Sequence, residues 1–226
     1  MATAARKTNW FAIWISIAVV VVLVGVAALV VVMNNQATAP GEVPDSAGIN
    51  QETGAIAVGS GSNELDTYID FMCPICGQFE DLYGETIEGL VDDGSITLNI
   101  HPISILDRAS MGTAFSTRAA NAAYCVAEAK PESALAFTQL MFENQPEEST
   151  EGLTDEQILD IASQAGVTGI DDCVNDQTYA DFVAEMTEKT PVKPGASGIG
   201  TPTVLLNGEF VTLTGDPQAD LVDALK

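Results

Sequence analysis

The hydrophobic pattern changes character twice along the chain. From Trp10 to Met33 the sequence runs WFAIWISIAVVVVLVGVAALVVVM, 24 residues with no charge. A helix of that length, at about 1.5 Å per residue, spans a hydrocarbon core of about 30 Å. The run therefore predicts one transmembrane helix over 10–33, and its terminal position argues against a buried core helix. Cleaved signals carry shorter apolar runs of about 7–15 residues, so an uncleaved anchor is expected. Ala37-Thr38-Ala39 resembles a cleavage site, but Pro40 follows it and would hinder a peptidase. Residues 34–53 are polar, rich in Pro, Gly and Asn, and without apolar periodicity, which predicts a spacer.

Beyond residue 54 short alternating runs give way to helical spacing and then return. AIAVG (55–59) and LDTYIDF (65–71) read as strands. Pro74 sits just inside the next helix start, and Phe79, Leu82, Tyr83, Ile87, Leu90 and Val91 follow at helical spacing. SITLNIHPISI (95–105) is again a strand pattern. Residues 110–130 place Met111, Ala114, Phe115, Ala119, Ala122 and Val126 on one helical face, and Pro131 opens a second helix through Asn144. Thr154-Asp-Glu-Gln157 has the form of a capping box for a third helix closed by Gly166, and a fourth is expected over about 176–189. Asn207-Gly208 between TVLLN and EFVTL is a hairpin signal, and Asp216-Pro217 caps a last helix. A β-α-β half and a β-β-α half thus flank an inserted helical subdomain over about 107–190.

Charge sets the orientation of this arrangement. Arg6 and Lys7 precede the apolar run, and no basic residue follows until Arg108. The positive-inside bias keeps residues 1–9 in the cytoplasm and puts residues 34–226 outside, tethered at the cell membrane by a single pass. All 32 carboxylates and six of the eight basic residues lie beyond Met33, a formal charge of −26 for that part. Such a surface repels nucleic acid and anionic lipid headgroups.

The candidate chemistry lies in FMCPICGQFE, where Cys73 and Cys76 stand three apart at a strand-to-helix turn. Structural zinc takes four Cys or His ligands, typically as two close pairs, and here there is one close pair and one histidine, His101. A c-type haem needs histidine directly after the second cysteine, where this chain has Gly77. No metal and no cofactor are expected. Cys125 and Cys173 sit in the helical insertion, and an even cysteine count outside the cytoplasm predicts a structural disulfide between them. Closing that long loop is worth about 4 kcal/mol in the chain-entropy picture. A Cys73–Cys76 bond closes a tiny loop and stabilises little, so reactivity accounts for it better. Unpaired N–H groups and the positive end of the helix dipole would favour a Cys73 thiolate, with Cys76 as the more buried resolving thiol.

Together, TYIDFMCPICGQFE and GIGTPTVLLNGEF resemble the thioredoxin superfamily, and in particular the DsbA-like thiol:disulfide oxidoreductases of the membrane-anchored actinobacterial type. The resemblance covers about 54–226. It implies an α/β thioredoxin fold, a central mixed sheet flanked by helices with a helical insertion, preceded here by the membrane helix. It further implies a cis Thr201–Pro202 bond facing the cysteines, with the Thr201 backbone free to pair with an extended substrate. Cys73 would be the nucleophile, Cys76 the resolving thiol, and Pro74 and Ile75 would tune them. The best-known members carry histidine where Ile75 stands, which predicts a less acidic Cys73 and a less oxidising protein. Relatives often place a buried carboxylate where this chain has Thr67. Asp70 is either its substitute or a solvent-facing carboxylate, and His101 is read as structural. The expected function is an extracytoplasmic oxidase that forms disulfides in unfolded secreted proteins and is reoxidised by a quinone-linked membrane partner. A reductase or isomerase on the same site, and a non-catalytic peptide-binding module, are the alternatives.

Overall fold

The computed structural model describes residues 10–37 and 42–225, with the side chains at 11, 12, 16 and 29–37 not among them. The chain divides into two units after Pro40. The first contains α1 (Trp10–Ala37), a 28-residue helix, about 42 Å long at about 1.5 Å per residue. Its described side chains run unbroken only from 17 to 28, and over the described residues no helix is long and apolar enough to cross a membrane. The expected anchor therefore rests on the sequence. Arg6 and Lys7, and the Thr38-Ala39-Pro40 part of the cleavage-like segment, lie outside the described residues.

The second unit is built on a five-stranded sheet of order β1-β3-β2-β4-β5. Its strands are β1 (Ile56–Gly59), β2 (Asn63–Ile69), β3 (Ile96–Pro102), β4 (Thr203–Leu206) and β5 (Glu209–Phe210). Only β2 and β3 are parallel, because α2 (Pro74–Asp92) crosses over between them. β4 returns antiparallel on the other side of β2, with Thr67 opposite Val204, so the ends of β2 and β4 bring the cysteine turn and the Thr201-Pro202 loop together. The Asn207-Gly208 turn has positive φ at both residues, 52° and 81°, the geometry of a tight hairpin.

Five helices make the insertion: α3 (Phe115–Ala129), α4 (Ala134–Glu143), α5 (Asp155–Gln164), α6 (Asp171–Asn175) and α7 (Ala180–Glu188). α3 is the axis, and α4, α5, α6 and α7 all pack on it. Its small residues Ala119, Ala120, Ala122, Ala123 and Ala127 are buried and let neighbouring helices approach closely. The capping box ahead of α5 is complete, with Thr154 and Gln157 each accepting the other's backbone N–H.

Four expectations are corrected. The spacer does not extend to residue 53. Pro44 and Ile49 are buried, Ile49 bridges Ile56, and Tyr124 donates to the Gly54 carbonyl. This segment packs largely through its backbone, so its polar composition hid it. α3 begins at Phe115, not 110, because Met111, Gly112 and Ala114 take positive φ, and Met111 is exposed. Leu82 points outward from α2. The last helix is irregular, a π turn at Gln218–Val222 followed by a 3-10 turn at Asp223–Leu225.

Candidate active site

The end of β2 turns sharply into α2, and Cys73 is the N-cap of that helix. Its backbone is extended (φ −77°, ψ 115°), its N–H donates to the Asp70 carbonyl, and Pro74 follows at the first helical position, where a missing N–H leaves nothing unpaired. The Cys73 carbonyl accepts from the N–H groups of Cys76 and Gly77, which closes the first turn. Cys73 and Cys76 are both free thiols, and Cys76 is fully buried while Cys73 keeps 7% of its surface. Ile75, between them, is half exposed.

Across the cleft, the Thr201–Pro202 peptide bond is cis, and the Cys73 Sγ lies 3.6 Å from the Thr201 carbonyl oxygen. Hydrogen bonds from the Cys76 thiol, the Thr201 hydroxyl and the N–H groups of Cys76 and Ile75 pull the Cys73 thiol down to about 6, against the opposing effect of burial. Burial, followed by the neighbouring Cys73 sulfur, pushes the Cys76 thiol well above the usual range. The two sulfurs are thus pushed apart in acidity by position alone: one faces the helix N-terminus and the cleft, the other the core. The absence of a histidine at Ile75 does not leave Cys73 unassisted.

Asp70 is not a surface carboxylate. It is fully buried and saturated with donors. Oδ1 accepts from Met72 N and Ser116 Oγ, and Oδ2 from Ile105 N and Leu106 N. Burial nonetheless raises its carboxyl to about 6. With all four bonds made, the side chain joins the turn before Cys73 to the 105–106 loop and α3, and only the Asp70 backbone N–H reaches the Cys76 sulfur. Thr67, in the strand interior, is buried with no acid–base group to offer.

His101 is buried beside Asp66 and Thr53, with Nε2 2.9 Å from Asp66 Oδ1 and Nδ1 3.2 Å from the Thr53 carbonyl, and it stacks on Tyr68. Its partners hold the 44–53 segment to the sheet, and none is a cysteine. Cys125 on α3 and Cys173 on α6 are joined by a disulfide. Asn121 reinforces the join by donating to the Cys173 carbonyl and accepting from Tyr179 N. Among the described residues, no group of three or more Cys, His, Asp or Glu side chains forms a metal site.

Sequence reasoning missed Ser116, Gln145 and Glu80. Gln145, just past α4, donates to the carbonyls of Phe71 and Cys73. Glu80, one turn beyond Cys76, has its carboxyl raised to about 7 by burial, with Asp81 and Glu88 adding to the shift. No local pattern signals the partners of Ser116 or Gln145, which lie 46 and 74 positions from theirs. Glu80 looks like any other acidic residue on an acidic helix.

The chain matches the thioredoxin family over residues 53–224. Its second unit resembles solved DsbA from Mycobacterium tuberculosis in the reduced form, with TM-score 0.68 and 33% identity over 76% of this chain and 90% of that one. The chain also resembles the reduced disulfide bond oxidoreductase DsbG of the same organism, with TM-score 0.66 and 31% identity over 85% of this chain and 89% of that one. Among curated sequences, the serine/threonine-protein kinase PknE of Mycobacterium tuberculosis is 30% identical over 163 residues, 68% of this chain and 28% of PknE. The chain therefore spans little more than a quarter of that relative's length. The match over 53–224 and the likeness to these solved structures place the chain in the thioredoxin superfamily with a DsbA-like fold, and the Cys73–Cys76 turn facing a cis Thr201–Pro202 bond accords with it.

Proposed function

We propose that this protein works as an oxidase outside the cytoplasm, donating the Cys73–Cys76 disulfide to unfolded secreted proteins from a membrane tether at residues 10–33. The observation that supports the direction is the setting of the Cys73 sulfur, at the N-cap of α2 and 3.6 Å from the Thr201 carbonyl oxygen, where hydrogen bonds draw its thiol down to about 6. A stabilised thiolate stabilises the reduced pair, and so makes the disulfide a better oxidant. The low-acidity partner, Cys76, fits the role of a thiol that is released inward and protonated.

The cycle balances over two exchanges. A substrate thiolate attacks the Cys73 sulfur, the Cys73–Cys76 bond breaks, and its electron pair leaves on Cys76, which takes up a proton. A second substrate thiolate then attacks the substrate sulfur of the mixed disulfide, and Cys73 leaves as a thiolate. The substrate loses two electrons and the enzyme gains them. The next turnover needs an electron acceptor, for which a quinone-linked membrane partner is the chemical class proposed. The Thr201 carbonyl lies beside Cys73, and a depression of about 170 Å³ lined in part by Lys193, Pro202, Thr203 and Phe210 follows along the same loop, a place for an extended substrate segment.

Topology supports this reading through the 24 uncharged residues at 10–33 with Arg6 and Lys7 before them, and the internal Cys125–Cys173 disulfide suits an oxidising compartment. The test uses the oxidised full chain in detergent with a reduced, unfolded secretory protein carrying several cysteines. Disulfides should appear in the substrate as the enzyme is reduced, Cys73→Ser should abolish transfer, and Cys76→Ser, its Cys73 first converted to a mixed disulfide with glutathione, should release glutathione to substrate thiolate attack and form a Cys73–substrate mixed disulfide. An intact Cys73–Cys76 bond after incubation, with no Cys73–substrate disulfide from the glutathione-loaded Cys76→Ser variant, would leave a peptide-binding module instead.

A further inference from the structure

Gln145 lies in the connection after α4, far in sequence from the cysteines, yet its side chain ends on their turn. Nε2 donates to the Phe71 carbonyl at 3.1 Å and to the Cys73 carbonyl at 2.9 Å. Both partners can only accept, which fixes the amide with its nitrogen toward the turn. Oε1 is thereby turned onto Gly77, too close to the point where a Cβ on residue 77 would sit for both to fit, with Gln145 Cδ 3.2 Å from that same point. The glycine after the second cysteine and the glutamine of the insertion thus fit one another. The contact is anchored on both sides: the Gln145 N–H donates to the Phe142 carbonyl, and the Phe142 ring packs on the Phe71 ring.

We propose that Gln145 is a positioning residue for the Cys73–Cys76 couple, clamping the turn so that the first N–H groups of α2 stay aimed at the Cys73 sulfur, and that Gly77 is the seat for its amide. This rests on the oxidoreductase reading and adds to it a route by which the helical insertion sets the properties of the redox pair. The Cys73 carbonyl is where the clamp meets the helix, since it also accepts from the N–H groups of Cys76 and Gly77. With the clamp gone the two carbonyls turn to water, the turn gains freedom, and the N–H groups solvate the thiolate less well. The reduced form loses stability, and the protein becomes a weaker oxidant.

The test measures, in the full chain, the pH profile of Cys73 alkylation and the thiol–disulfide equilibrium with glutathione. Gln145→Ala should move the alkylation profile to higher pH and shift the equilibrium toward the protein disulfide by about three- to tenfold, the effect of losing about one net hydrogen bond. Gln145→Glu keeps the shape and loses both donors. It should shift the same way, and it supplies the answer if the alanine variant does not fold. Gly77→Ala should reproduce the shift in the wild-type background and add nothing in the Gln145→Ala background. Asn144→Ala, whose side chain donates to the Leu140 carbonyl within α4, should leave both readouts unchanged. An active protein whose profile and equilibrium ignore Gln145→Ala and Gln145→Glu, or a Gly77→Ala effect independent of residue 145, would overturn the clamp. A wild-type chain inert toward glutathione would overturn the oxidoreductase reading and the clamp with it.

Discussion

At the scale of single residues the site depends on where two identical side chains are placed. Cys73 has the helix N-terminus before it, and Cys76, one turn on, has only the core. The Cys-x-x-Cys spacing made this division legible in the sequence, because a residue at an N-cap and one a turn inside must differ in solvation. What the sequence left open was Asp70, because a lone carboxylate gives no sign of its donors. Two predictions belong here. Alkylation of the reduced chain should show one thiol half-ionised near pH 6, lost in Cys73→Ser, and a second that stays unreactive. A single titration in the ordinary thiol range would contradict the placement. Asp70 titrates near 6 in the fold against 3.8 unfolded, so the fold prefers its protonated form. Its contribution to stability is greatest below pH 4, falls as pH rises from about 4 to 6, and is flat above. The stability of wild type relative to Asp70→Asn, from urea unfolding at several pH values, should therefore decline across that window. A difference that rises through it would show the four donors outweighing burial.

At the scale of elements, periodicity found what is regular and missed what is held by backbone. The β2–α2–β3 crossover, the α5 capping box and the hairpin at Asn207-Gly208 were legible because each has a local chemical signature. The start of α3 was not. Residues 110–114 have apolar positions at helical spacing, but the left-handed backbone of Met111, Gly112 and Ala114 ends any helix there. The 44–53 segment was hidden by the opposite error, polar composition with buried backbone partners. Within the insertion, the Cys125–Cys173 disulfide ties α3 to α6 across 48 residues, with Asn121 beside it. Replacing both cysteines by serine should lower stability by about 4 kcal/mol, seen as a lower denaturant midpoint. The Cys73 alkylation profile should not move, since the bond lies outside the active-site turn. A changed profile with unchanged stability would mean that the bridge acts on the site rather than on the fold. Removing the cap with Thr154→Ala should cost about 1 kcal/mol, read in the same unfolding experiment, and no loss would mean that the α5 start is held by its packing alone.

At the scale of the whole molecule, sequence and structure contribute different parts. The thioredoxin fold of the second unit was legible because two distant motifs, one at the cysteines and one at Thr201-Pro202, have meaning only as a pair. The clamp from Gln145 was not legible, because no local pattern joins positions 72 apart. The proposed membrane tether rests on the sequence: a long uncharged run after two basic residues, then a strongly acidic remainder. If residues 10–33 anchor the chain, it should sediment with membranes, resist alkaline extraction and be digested by protease added outside intact cells. Release into the soluble fraction by alkali would remove the tether from the account. The central claim is the direction of electron flow, and the measurement that tests it most directly is the reduction potential of Cys73–Cys76 in the full chain with the Cys125–Cys173 bond intact. With Cys73 drawn to about 6, the potential should lie on the oxidising side, above about −200 mV and toward the DsbA end near about −120 mV. A value near about −270 mV, that of thioredoxin, would make the reduced pair the working form and contradict the assignment as an oxidase.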